Sequence, residues 1–155
     1  MANKEKPHSV TITNRRARHD YHIGETFQAG IVLVGTEVKS LRQGKASLQE
    51  AFCKAEGDEV FIYGMHIPPY EQGNRFNVDP VRPRKLLLHK SEIRRIQRQL
   101  QEKGYTLVPL KLYFDKGYAK LEIGLARGKK LYDKREAIAR RDAEMERRRA
   151  EAARP

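Results

Sequence analysis

Apolar and polar positions along this chain fall into two periods. Val10 and Ile12 alternate with threonines in VTIT. The run FQAGIVLVG, from Phe27 to Gly35, is rich in β-branched residues and bounded by glycines, which predicts a strand. TEVKSLRQG predicts a short helix: Thr36 caps it, Val38 and Leu41 pack inward, and Gly44 ends it. AFCKAE and EVFIYGMHI then form a hairpin around Gly57-Asp58. SEIRRIQRQLQEKG shifts to the helical period, with Ser91 as N-cap, Ile93, Ile96 and Leu100 as an apolar stripe, and Gly104 as the stop. Arg94, Arg95 and Arg98 then face away from the core. YTLVPLKLYF and YAKLEIGLA are two more strands, joined at Asp115-Lys116-Gly117. In the second, Leu121, Ile123 and Leu125 share one face, and Lys120 and Glu122 the other. Pro109 cannot donate to a ladder, which places it at an edge or a bulge.

The strands do not alternate with helices as βαβ units do. The fold class is therefore mainly β: a small antiparallel sheet curled into an OB-like barrel, with flanking helices. Pro68, Pro69, Pro80 and Pro83 mark an irregular surface loop of about seventeen residues before Arg84. Three parts follow: a polar leader over residues 1–9, a barrel over 10–126, and a basic tail over 127–155. The tail favours helix and has i,i+4 pairs at Glu136–Arg140 and Glu144–Arg148, yet lacks an apolar stripe. Such a helix is marginal alone in water, so the tail is expected to fray when free and to be helical when bound to an anionic partner.

Composition narrows the class. The 155 residues carry 32 Lys+Arg against 20 Asp+Glu, a net charge of +12, and 39% are hydrophobic, enough for one modest core. The excess is +4 over residues 1–19, +3 over 20–126 and +5 over 127–155. A nearly balanced body with basic ends suits a polyanion partner, with solubility alone as the plainer alternative. No run approaches the ~18 apolar residues of a membrane span, and no apolar signal region opens the chain. One cysteine, Cys53, excludes an internal disulfide framework and fits a reducing cytosol.

Catalytic chemistry is hard to assemble. The five histidines make no metal-binding spacing, and His19 and His22 point to opposite faces of an extended segment. There is no P-loop, no GxGxxG and no nucleophile elbow. Cys53 reads as a buried thiol, and Glu25 and Glu37 stand isolated. Neither a metal nor a cofactor is implied. Basic residues interleaved with aromatics carry more: Asn14-Arg15-Arg16-Ala17-Arg18-His19-Asp20-Tyr21, then Arg82, Arg84 and Lys85, then Gly128-Lys129-Lys130-Leu131-Tyr132-Asp133-Lys134-Arg135. Guanidiniums clamp phosphates and stack on bases, so this inventory suits folded RNA.

NRRARHDY, AGIVLVGTEVKSLRQGKASL, HIPPY, PVRPRKLLLHKSEI, GYTLVPLKLYF and GLARGKKLYDKRE occur in this order. From about Asn14 to Arg141 the chain resembles small protein B, the SsrA-RNA-binding family of bacterial trans-translation. The resemblance implies a cytoplasmic, non-enzymatic adaptor that binds the tRNA-like domain of transfer-messenger RNA (tmRNA). It would bring that RNA, alanylated and with elongation factor Tu and GTP, to stalled ribosomes. For tmRNA it implies Asn14, Arg15, Arg16, Tyr21, Gln28, Lys39, Arg42, Lys85, Leu87 and Lys120. Leu87 also fits an ordinary core position, and Lys39 an ordinary solvated lysine. For small-subunit RNA near the decoding centre and in the empty mRNA channel it implies Gly128, Lys129, Lys130, Tyr132, Asp133, Lys134 and Arg135. Stacking of Tyr132 on a base would be worth ~1–3 kcal/mol.

Two positions depart from the family pattern. Glu often stands where this chain has Gln28, which offers a carbonyl and an NH2 in place of a carboxylate. Some members carry His in place of Tyr132; a ring that stacks is common to both. Two other classes compete with the adaptor: a general OB-fold translation factor and an RNA-processing enzyme.

Overall fold

The computed structural model describes residues 10–152. The leader, residues 1–9, and the last three residues lie outside the described part, as do the side chains at 74, 75, 130–137 and 151. In chain order the elements are β1 (Thr11–Thr13), α1 (Arg15–Asp20), β2 (Tyr21–Ile31), α2 (Gly35–Arg42), β3 (Phe52–Glu56) and β4 (Glu59–Tyr63). A 3-10 helix (Glu71–Phe76), β5 (Arg84–Leu87), α3 (Lys90–Leu100), β6 (Tyr105–Asp115), β7 (Tyr118–Gly128) and α4 (Lys129–Ala152) follow. The strands form one seven-stranded sheet in the order β1-β6-β7-β2-β5-β4-β3, and every ladder is antiparallel. The mainly β, antiparallel architecture with flanking helices is as the sequence predicts. Among the described residues no ladder joins the two edges, β1 and β3, although β3 lies close to β6.

The period-two alternation on β7 sets the core. Leu121 and Ile123 are fully buried, with Phe27, Ala29 and Ile31 of β2 and Leu107 and Leu112 of β6 beside them. Ile96 closes this core from α3, with Ile93 and Leu100 packed against its margin. Cys53 is buried in the same cluster, and its burial pushes the thiol pKa up. The β6–β7 turn carries positive φ at Lys116 and Gly117, the backbone a tight hairpin needs. Pro109 sits at a bulge, where the register shifts between Pro109 and Lys111.

Boundaries moved where a side chain outcompeted local propensity. The strand expected from Phe27 begins at Tyr21, because β7 pairs with it from Gly128 onward, and it ends at Ile31. The N-cap of α2 is Val34 rather than Thr36, since the Glu37 carboxylate accepts the Val34 N–H at 3.0 Å. Thr36 instead donates its hydroxyl to the Phe76 carbonyl. In α3 the same device shifts the cap from Ser91 to His89, whose N–H meets Glu92 at 3.0 Å. The proline-marked loop is not open coil. It contains the 3-10 helix, and the Asn77 amide bonds both backbone groups of Tyr70 at 2.8 Å each.

One glycine here has no substitute. Gly64 ends β4 with φ +74, and a Cβ there would lie 2.5 Å from the Glu50 carbonyl oxygen. Backbone cannot withdraw as a flexible side chain would. Gly64→Ala is expected to cost on the order of 1–3 kcal/mol, read as a lowered urea midpoint with unchanged slope.

Candidate nucleic-acid interface

The outward side of the sheet carries two adjacent cross-strand rows. In the first, Leu87 of β5 faces Gly30 of β2, Gly30 faces Lys120 of β7, Lys120 faces Tyr113 of β6, and Tyr113 faces Thr11 of β1. The second runs from Gln28 through Glu122 and Lys111 to Thr13. Leu87 is 52% exposed, so it is an apolar contact on this face and not a core residue. A Cβ on Gly30 would come within 3.3 Å of the Leu87 side chain, so glycine lets that side chain lie flat across the ladder.

Gln28 holds the two rows together. Its amide donates to Glu122 Oε2 at 3.0 Å, and its carbonyl accepts the Tyr113 hydroxyl. Partial burial, then the charges of Asp115 and Glu122, hold the Tyr113 pKa above its ordinary value, so the phenol remains a donor. The amide can both give and take, which a carboxylate beside Glu122 could not do. The carboxylate on this face is therefore Glu122, one strand over from Gln28. Lys111 and Tyr113, with Nζ 5.5 Å from the ring centroid, were not among the residues expected from sequence. Their signal was the outward phase of the alternation on β6.

Helix α2 and the neighbouring turn flank these rows. The Arg42 guanidinium lies 4.8 Å from the Phe114 ring centroid and donates to the Gly117 carbonyl at 3.3 Å. Lys39 is exposed, with Nζ 5.6 Å from the Tyr70 centroid. Lys85 pairs with Glu59 at 2.5 Å on the outer side of β4–β5.

At the far end of the second row, Thr13 leads into the N-terminal basic cluster. The basic run folds as a short helix, α1. Asn14 moors it to the β6 bulge: its N–H meets the Leu110 carbonyl and its side-chain amide the Pro109 carbonyl, both at 2.8 Å. Ala17 is buried against Val108, Leu110 and Ala126, which turns Arg15, Arg16 and Arg18 outward. A groove of about 220 Å³ separates α1 from residues 46–49 and is lined by Asn14, Arg15 and Arg16.

The middle basic patch is different from expectation. Arg84 is fully buried, because Glu37, read from sequence as isolated, is buried beside it. Arg84 Nε donates to Glu37 Oε2 at 2.7 Å, Nη1 to the Met65 carbonyl at 2.6 Å and Nη2 to the Pro80 carbonyl at 3.0 Å. Arg82 bonds both oxygens of the same carboxylate, at 3.0 and 2.5 Å. Burial alone would raise the Glu37 pKa. The bonds from Arg82, the Val34 N–H and Arg84 outweigh it and hold the carboxyl below its ordinary value. Two of the three cations in this patch thus join α2, the loop and β5, and Lys85 alone faces outward. Glu25 is also engaged, with Arg95 of α3.

The second basic surface starts where β7 ends. Arg127 lies over the Tyr105 ring at 4.3 Å, and Gly128 pairs with Tyr21. Helix α4 begins at Lys129; the side chains of Lys130, Tyr132, Asp133, Lys134 and Arg135 lie outside the described part, as does that of Glu136. Farther on, Glu144 and Arg148 pair at 3.0 Å, and Ile138 and Met145 are 44% and 46% exposed. Among the described residues no three His, Cys, Asp or Glu side chains gather as a metal site would require, and no helix is long and apolar enough to cross a membrane.

Comparison with known proteins covers both basic surfaces. The model of the family described as "SmpB protein" matches residues 11–153. The SsrA-binding protein of Caldicellulosiruptor saccharolyticus is 60% identical over 148 residues, 94% of either chain. That of Acetivibrio thermocellus is 61% identical over 143 residues, 92% of either chain. Among solved structures, one described as "tmRNA-SmpB: a journey to the center of the bacterial ribosome" is similar at a TM-score of 0.66 and 56% identity. It covers 77% of this chain, which covers 85% of it.

Proposed function

The chain belongs to the SmpB protein family, and from that premise we propose that it is an RNA-binding adaptor of trans-translation, which holds the tRNA-like domain of tmRNA (SsrA RNA) and delivers it to stalled ribosomes. The observation that carries this reading is the extent of the likeness to SsrA-binding proteins, which spans the sheet face and most of the tail. In this reading the sheet of residues 10–126 acts as an OB-like barrel, with the approach of β3 to β6 as its seam. Its outer rows and α1 take tmRNA through Asn14, Arg15, Arg16, Tyr21, Gln28, Lys39, Arg42, Lys85, Leu87 and Lys120. Arginines clamp phosphates bidentately, Leu87 covers an apolar base or sugar edge, and the Gln28–Glu122 pair accepts donors from base or ribose.

The tail, residues 127–155, takes small-subunit RNA in the vacant decoding centre and mRNA channel, where it is helical. Gly128, Lys129, Lys130, Tyr132, Asp133, Lys134 and Arg135 are its contact residues. Elongation factor Tu with GTP is reached through alanyl-tmRNA, and the work is done in the cytoplasm. The protein performs no covalent step itself.

Competition tests the reading. Labelled tRNA-like domain should be displaced by unlabelled tmRNA but poorly by bulk tRNA, with a steep loss of affinity as salt rises, because neutralised phosphates release counterions. Equal displacement by tRNA would make the chain a general RNA-binding factor.

A further inference from the structure

We propose that Lys90, Arg94 and Arg98 on the outer ridge of α3 form a further docking surface, one that takes the phosphate backbone of ribosomal RNA. The three residues are spaced i, i+4, i+8 on an eleven-residue helix, and all three are exposed. At 100° per residue they lie within one narrow arc, ~12 Å from end to end. The adjoining face carries Ile96 into the core, with Ile93 and Leu100 packed against its margin.

The helix gains nothing from this ridge by itself. Like charges at i,i+4 repel, and a lysine in the first turn opposes the helix dipole. Acidic side chains that could neutralise it are used elsewhere: Glu92 caps His89, Glu25 pairs with Arg95, which points off the ridge, and Glu102 accepts the Gln99 amide at 3.1 Å. Among the described residues Lys90, Arg94 and Arg98 form no ion pair. A groove of about 170 Å³ beneath the first two is lined by Lys90, Ile93, Arg94, Gln97 and Asp58 of the β3–β4 turn, so its charge remains positive. An array of extended cations that outnumbers its one groove anion, Asp58, fits a polyanion, and a regular line of them fits the repeating charge of a nucleic-acid backbone.

Position in the fold selects which RNA. Helix α3 is tied at its middle to Glu25 of β2 and passes through Gly104 to Tyr105. The Tyr105 ring lies under Arg127, two residues before α4 begins. The ridge therefore ends at the root of the tail. Of the residues proposed for tmRNA, Lys39 and Arg42 lie by the 3-10 helix and the β6–β7 turn, whereas Lys85 and Leu87 of β5 adjoin the ridge at Lys90, so it is the Arg94–Arg98 end that leads to the tail. Continuity with the tail assigns the ridge to the tail's partner, and the proposal rests on the adaptor reading in that respect.

The test uses full-length protein as wild type, as K90Q/R94Q/R98Q and as the charge-preserving K90R/R94K/R98K, with circular dichroism and melting to verify folding. R94Q/R98Q serves if the triple variant melts early. Binding to the tRNA-like domain of tmRNA and to empty ribosomes is measured across salt concentrations. For the triple Gln variant, ribosome affinity should fall on the order of tenfold, and the slope of log affinity against log salt should fall by about three, one per lost phosphate contact. Affinity for tmRNA should hold, and the charge-preserving variant should behave as wild type. Unchanged ribosome affinity, an equal loss toward tmRNA, or no rescue by preserved charge would overturn the proposal. Failure of wild type to prefer tmRNA over tRNA would remove the adaptor reading separately, since the ribosome arm is scored alone.

Discussion

A chain ending at Lys129 is expected to bind the tRNA-like domain of tmRNA with close to full affinity and to leave the products of stalled ribosomes untagged. The sheet is complete before the cut, since β7 runs to Gly128 and pairs there with Tyr21. Helix α4 touches β7 at its root, and its residues from Ile138 to Ala150 are all exposed, so removing them uncovers no buried side chain. The truncated protein should keep its urea midpoint, because the buried core residues among those described all lie before the cut, between Ala17 and Ala126. What it loses is a long charged helix without an apolar stripe, which a partner must stabilise if it is to be rigid. Tagging in a reconstituted translation reaction should drop to background while tmRNA binding persists. Parallel loss of both activities would refute the division of labour between sheet and tail.

Glu37→Ala should produce one of the large losses of stability among single exchanges in the body. The substitution leaves Arg84, at 0% exposure, facing Arg82 with no anion between them. Breaking one side of a buried pair typically costs ~3–5 kcal/mol, because the remaining charge is stranded in low dielectric. For a chain of this size that lowers the melting temperature by on the order of 10 °C. Function should follow, because Glu37 joins the helix that carries Lys39 and Arg42 to the strand that carries Lys85 and Leu87. The pH dependence has a definite sign. The folded carboxyl titrates below its ordinary value, so its contribution is complete above the unfolded pKa of about 4.3 and fades as pH falls through the folded pKa. Melting temperatures below pH 5 should fall less steeply for Glu37→Gln than for wild type. An identical acid limb in the two proteins would show that Glu37 is not the group responsible.

Much of this protein is written in local pattern. The alternation of Leu121, Ile123 and Leu125 with Lys120 and Glu122 specified β7 and both of its faces. The stripe of Ile93, Ile96 and Leu100 specified α3 and sent its arginines outward. Charge counted by segment located the excess at the ends, and the ordered motifs from Asn14 to Arg141 pointed to the family. These features depend on backbone periodicity, which neighbours in sequence already determine.

Tertiary structure decided which polar groups are spent internally. Arg82, Arg84 and Lys85 look alike in a basic run, yet one is sealed in the core because Glu37, 47 residues away, is its partner. Gln28 looks like a simple departure from a family carboxylate until Tyr113 and Glu122 are found at its two ends, 85 and 94 residues distant. Leu87 has the composition of a core residue but the register of an exposed one. The +12 that first suggested one polyanion therefore separates by burial. Sequence determined how much charge the chain carries and along which elements. The fold decided which charges remain available, because a hydrogen-bond partner across the sheet removes a side chain from solvent without leaving any trace in the residues beside it.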